Sequence, residues 1–121
     1  MNNAPQARDQ FRQIHRKREV ASVSTITLFE LWFGIVKSRR QAENADQLSA
    51  FLPSVQITEF DDGDARTAAD IKFNLARAGT PIGSYDLLIA AQAIRRDLRV
   101  ITANVREFSR VPDLRWENWA P

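Results

Sequence analysis

The stretch Thr80-Pro-Ile-Gly-Ser-Tyr-Asp-Leu-Leu-Ile-Ala-Ala-Gln-Ala93, with Val100-Ile-Thr-Ala-Asn-Val-Arg-Glu-Phe108 close behind it, decides how this chain is read. Ser84 is a capping residue type, and the apolar run after it predicts a helix over 85–96. That helix carries a lone carboxylate, Asp86, in its first turn. The segment L-R-V-I-T (98–102) predicts a strand, nearly continuous in apolar character, as in a parallel sheet covered on both faces. A second polar cluster follows the strand: Thr102, Asn104 and Glu107. Folding alone does not call for acids at these places, whereas holding a divalent cation does.

Outward from this centre, helices and short strands alternate. Asp61 or Asp62 caps a helix that runs through Ala78, with Ala68, Ile71 and Leu75 inward and Gly79 as its stop. V-Q-I-T-E-F (55–60) alternates as a strand does, and residues 43–52 form a helix ended near Pro53. Ser24 caps the helix of S-T-I-T-L-F-E-L-W-F-G-I-V-K-S-R-R (24–40), apolar on nearly all sides and so predicted to be buried. Val20–Val23 reads as a short strand, and residues 4–18 as an amphipathic helix with Ala7, Phe11 and Ile14 on one stripe. At the other end, V-P-D turns the chain into a last strand around Leu114–Trp116. Such alternation argues for an α/β layer fold with a mainly parallel sheet. The 121 residues read as one domain, 1–121, without repeats or a linker.

Composition narrows the chemistry. There is no cysteine, so disulfides and thiolate metal sites are excluded, which fits a reducing cytosol. No stretch approaches the roughly 18–20 apolar residues of a membrane span, and the N-terminus lacks a signal-peptide core. The net charge is +2, and of 17 basic residues only Lys17, Lys37 and Lys72 are lysine. Arginine's planar fork suits phosphate. The clusters Arg12/Arg16/Lys17/Arg18, Lys37/Arg39/Arg40 and Arg95/Arg96/Arg99 read either as solvated helix ends favoured by the dipole or as a footprint for a polyanion or an acidic partner.

Three acidic candidates stand out, each with a plainer alternative. Glu30 lies among Leu28, Phe29, Leu31, Trp32 and Phe33, where a charge is costly unless paired, hydrogen-bonded or metal-bound. Thr27 and Glu30 also spell a capping box. Asp86 is favoured by the helix dipole whether or not it has a task. Asn104 and Glu107 follow the carboxyl end of a strand, where open α/β sheets bind ligands, although Glu107 can equally pair with Arg106 or Arg110. Together these residues offer only oxygen ligands, which suits Mg²⁺ or Mn²⁺. Such a cation would keep clustered carboxylates ionised and stabilise an in-line displacement at phosphorus. His15, the only histidine, reads as a surface residue. Ser24, Ser84 and Thr102 have no neighbouring histidine base. Trp116 and Trp119 suit core packing at the chain's end better than base stacking.

The segments S-T-I-T-L-F-E-L-W-F-G, R-A-G-T-P-I-G-S-Y-D-L-L-I-A-A-Q-A and R-V-I-T-A-N-V-R-E-F-S-R-V-P-D-L-R-W-E-N-W resemble the PIN-domain ribonucleases of the VapC toxin type, from about residue 4 to the end. The resemblance implies a PIN-like three-layer α/β/α fold and an endoribonuclease that uses Mg²⁺ or Mn²⁺. It implies a structured RNA substrate such as tRNA or rRNA, a cognate antitoxin, a homodimer and a cytoplasmic location. Carried over residue by residue, Glu30 and Asp86 match metal-binding acids. Asn104 matches a position held by an acid or asparagine, with Thr102 and Glu107 beside it to position water or a second ion. The family also opens with a central strand ending in a motif like L-D-T-N, whose aspartate binds metal, and no such segment stands in this sequence. A strand of about 5–6 residues buries about four or five apolar side chains at about 1.5–3 kcal/mol each. That rivals the whole stability of a domain at about 5–15 kcal/mol. The expectation is therefore a longer product with an upstream start, a decayed gene, or a gap filled by another chain. A truncated homologue serving as a dimerising or antitoxin-binding module is the alternative, and a nucleic-acid binder acting through the arginines is a third.

Overall fold

The computed structural model describes residues 22–102 and 104–118. The expected helix over 4–18, His15, Trp119 and the cluster Arg12/Arg16/Lys17/Arg18 lie outside the described residues. The chain divides into two compact units, one running to Glu59 and the other beginning at Phe60.

In the first unit, β1 (Ser22–Ser24) leads directly into α1 (Thr25–Val36). Ser24 caps α1 as its sequence predicts, its hydroxyl accepting from the Ile26 N–H at 3.0 Å. The helix α2 (Gln41–Phe51) ends in a 3₁₀ turn, Leu52–Ser54, where Pro53 cannot supply the N–H that a continuing helix needs. β2 (Gln56–Thr58) then pairs with β1 in parallel, with Val23 opposite Ile57. Leu48 is fully buried and Ile35 nearly so. The expected burial of α1 is not found. Phe29, Phe33 and Val36 are 53%, 56% and 64% exposed, and only Ile35 of this helix is buried. An apolar helix buries only the sides that neighbours cover, and within its unit α1 packs against α2 and β1. Lys37 stands over the Phe33 ring, 5.1 Å from its centroid.

The second unit is built on α3 (Asp62–Arg77) packed against α4 (Ser84–Arg95). Asp61 is the N-cap of α3, in a reciprocal capping box with Asp64: each backbone N–H donates to the other's carboxylate at 2.9 Å. Gly79, at φ +74°, closes the helix, with the Thr80 N–H donating to the Leu75 carbonyl at 2.9 Å. Asp97 repeats this closure after α4 at φ 55°, with the Leu98 N–H on the Ala93 carbonyl. β3 (Arg99–Ile101) pairs in parallel with β4 (Arg115–Glu117), and the four-residue helix α5 (Val105–Phe108) lies between them in sequence. The parallel strands form two ladders of two, β1–β2 and β3–β4. β3 is not covered on both faces: Val100 is buried while Arg99 and Ile101 are exposed. The core joins Leu75, Leu87, Ala90, Ala93, Val100 and Phe108, with Trp116 packed against it.

One ion cluster ties α3 to α4. Asp64 is 0% exposed and accepts from Arg95 at 2.8 Å and from Arg96 at 2.6 and 3.0 Å, besides the Asp61 N–H. Arg95 and Arg96 are therefore engaged inside the molecule, and Arg99 pairs with Glu117. Each of the three keeps part of its side chain at the surface, 38%, 28% and 38% exposed. Burial alone would raise the Asp64 pKa. The hydrogen bonds from Arg96, Asp61 and Arg95 outweigh burial and hold it at about 2, below its ordinary 3.8. Because the folded value is the lower one, Asp64 stabilises the fold above pH 3.8, and that contribution is lost as pH falls from 3.8 toward about 2. Asp64→Asn should lower the unfolding free energy by about 1.5–3 kcal/mol at neutral pH and flatten its fall in this acid range. Denaturant titrations at several pH values check this, and wild-type stability in the variant would contradict it.

Candidate functional site

The α3–α4 loop and the end of β3 carry the polar groups that the core leaves at the surface. Asp86 is the third residue of α4, where it heads the stripe continued by the buried Ala90 and Ala93. Phe108 and Val111 anchor α5 in the core, which fixes Asn104 and Glu107 at the other side of the cluster. The expected cap of α4 is shifted by one residue. Gly83, extended at φ −61° and ψ 150°, is the N-cap, with no side-chain cap hydrogen bond, and Ser84 is the first helical residue. Glu107 does the capping work from a distance: its Oε1 accepts the Gly83 N–H at 3.2 Å, where the helix dipole favours a negative charge.

Asn104 binds the two acids together. Its Nδ2 donates to Asp86 Oδ2 at 2.8 Å and to Glu107 Oε2 at 3.4 Å. Two carboxylate neighbours require the amide nitrogen, rather than the oxygen, to face them. Thr102 holds the backbone beneath, its Oγ1 accepting the Asn104 N–H at 2.9 Å. Asp86 and Glu107 also stand within hydrogen-bonding reach of each other. That contact, above all, holds the Glu107 carboxyl below its ordinary range; burial opposes it, and the Gly83 N–H, the Asn104 amide and the Arg110 charge add to it. Glycine at 83 leaves the room needed. A Cβ there would stand 3.3 Å from Glu107 Oε2 and 3.9 Å from Asp86 Oδ2.

The structure thus brings together four of the five residues nominated by sequence: Asp86, Asn104, Glu107 and Thr102. Glu30 lies in α1, in the first unit, and is exposed. Its apolar sequence neighbours therefore do not bury its charge, and Ser24 rather than Thr27 is the cap of its helix. Among the described residues no group of three or more His, Cys, Asp or Glu side chains is placed to hold a metal ion. The cluster in the second unit offers two carboxylates, with the Asn104 amide nitrogen turned toward both. That set fits a cation such as Mg²⁺, which binds through one or two carboxylates and retains several waters, and it does not fit a soft metal. The sequence reading missed the two backbone contributions, the Gly83 N–H and the Pro81 carbonyl, which accepts from Arg110 at 2.7 Å. The Pro-Ile-Gly run before an acid-bearing helix is the signal that marks them.

Comparison with known proteins fits this arrangement. The model of the PIN domain matches residues 2–114. The tRNA(fMet)-specific endonuclease VapC of Salmonella typhimurium is 40% identical over 97 residues, covering 80% of this chain and 74% of that protein. Among solved structures, DNA-bound VapBC from Salmonella typhimurium aligns with TM-score 0.88 at 35% identity, over 98% of this chain and 88% of that one. VapBC-5 of Mycobacterium tuberculosis, from the VapBC family of toxin–antitoxin systems, aligns with TM-score 0.69 at 28% identity, over 84% and 81%. The chain belongs to the PIN-domain family, with relatives of the VapC type.

In metal-free protein the contact with Asp86, with the Gly83 N–H and the Asn104 amide, should make Glu107 titrate below 4.5, its ordinary value. Carboxyl-carbon NMR across the acid range checks this. A Glu107 midpoint at or above 4.5 would contradict the geometry.

Proposed function

We propose that this protein is an endoribonuclease dependent on Mg²⁺ or Mn²⁺, the toxin of a toxin–antitoxin pair, acting on structured RNA of the tRNA class. The observation that carries the proposal is the convergence of Asp86, Asn104 and Glu107 beyond the carboxyl end of β3, where ligands bind in α/β folds. The family and the endonuclease name of its Salmonella relative support the reaction class. Asp86 and Glu107 would hold the cation, and the Asn104 amide would turn its Oδ1 inward as a further oxygen. Glu30 is proposed as an additional functional acid on its sequence alone.

When bound, the cation supplies charge neutralisation at the phosphate and a more acidic water. The chain's own residues supply position. Asn104 sets the spacing of the two carboxylates, Thr102 fixes the Asn104 backbone, and the Gly83 N–H orients Glu107. In the reaction Glu107 positions the attacking water, whose proton passes to solvent as the water oxygen bonds to phosphorus. The P–O bond to the leaving ribose oxygen breaks, and that oxygen takes a proton from solvent. The proposed partners are a cognate antitoxin and a second copy of this chain, in the cytoplasm. Among the described residues no helix is long and apolar enough to cross a membrane.

Purified protein should cleave tRNA with Mg²⁺ or Mn²⁺ and stop on chelation. Asp86→Asn should reduce cleavage by about 100-fold or more, the equivalent of about 3 kcal/mol of transition-state stabilisation. Glu30→Gln, assayed in the same way, tests the acid from α1. Undiminished cleavage by Asp86→Asn in the presence of chelator would overturn the proposal.

A further inference from the structure

Arg110 lies one turn beyond Glu107, just past the end of α5, and its guanidinium crosses to the other side of the cluster. It donates to the Pro81 carbonyl at 2.7 Å, a contact between residues 29 apart in sequence. Two residues after Pro81, the Gly83 N–H donates back to Glu107 at 3.2 Å. The loop that starts α4 is therefore held twice by the segment that carries Glu107, each time by a side chain on a loop backbone group. Asp86, three residues past Gly83, takes its position from this loop. Half-buried Arg110 is absorbed neither by the core nor by the Asp64 ion cluster.

The magnitude decides what such a contact does. One hydrogen bond from a charged donor at an exposed edge contributes about 1 kcal/mol to stability, a small part of a fold's total. A functional constellation, however, must be held to within about 0.5 Å. With the loop released, the Gly83 N–H and the Asp86 carboxylate move together, and the spacing set by Asn104 is lost. We propose that Arg110 is a positioning residue: its clasp on the Pro81 carbonyl fixes the Thr80–Gly83 loop and thereby sets Asp86 against Glu107. This rests on the proposed cation-dependent reaction at the same site. It assigns to Arg110 a task distinct from pairing with Glu107 or contacting RNA.

The test compares wild type, Arg110→Ala, Arg110→Lys and Arg110→Gln by three readouts: amide hydrogen exchange at Gly83, Mn²⁺ binding by calorimetry, and kcat and KM for tRNA cleavage. In Arg110→Ala we expect faster Gly83 exchange, Mn²⁺ affinity about 10-fold weaker, and a fall in kcat with KM little changed. Arg110→Lys keeps a donor for the Pro81 carbonyl and should recover most of each loss. If the alanine variant does not fold, the Lys and Gln variants carry the comparison, with Lys expected nearer to wild type. Wild-type Gly83 exchange and Mn²⁺ affinity in Arg110→Ala would overturn the proposal. A rise confined to KM would overturn it as well and make Arg110 an RNA contact. The underlying reading fails separately, if wild-type protein neither binds Mn²⁺ nor cleaves RNA.

Discussion

Two carboxyl groups cannot sit side by side as anions without something positive between them. Asp86 and Glu107 are held in that relation by one amide, Asn104, within hydrogen-bonding reach of each other. The constraint explains the features around it. At position 83 a Cβ would stand 3.3 Å from the Glu107 carboxylate, a close fit that glycine avoids. The first turn of α4 leaves its cap to a residue 24 positions away.

The remainder of the second unit delivers these groups to one place. Small residues on α4, Ala90 and Ala93, are buried in the core beneath Asp86. At the far end of the same helix, Arg95 and Arg96 close on Asp64 and tie α4 to α3. A helix fixed by a core stripe along its length and an ion cluster at its end has little freedom to slide, and the loop before it sets the placement of its first turn. Phe108 does the same for α5, which is too short to hold itself.

Much of this was legible in the sequence because it is local. Asp61 as a cap, Gly79 as a stop, Pro53 as an interruption and Asp86 in a first turn each follow from a residue type and a short spacing. The expectation of parallel strands among helices likewise follows from alternation, and the PIN family match bears it out. What stayed illegible is long-range. The Asp64 cluster joins residues 31 and 32 apart, so its arginines read as free helix ends. Four residues around Phe108 are too few to show a helical period. The exposure of Phe29, Phe33 and Val36 contradicts the burial expected of α1, since apolar periodicity reports what a helix can bury and not what covers it. Glu30 shows the same limit, being exposed where its neighbours in sequence suggested burial.

The central claim is that Asp86 and Glu107, organised by Asn104, grip one hard divalent cation. Its most direct test is an anomalous difference map from crystals grown with Mn²⁺. The account predicts a peak within coordination distance of both the Asp86 and Glu107 carboxylates, absent from crystals of Asp86→Asn. A map without density between these two carboxylates at saturating Mn²⁺, or a peak that survives the substitution unchanged, would contradict it.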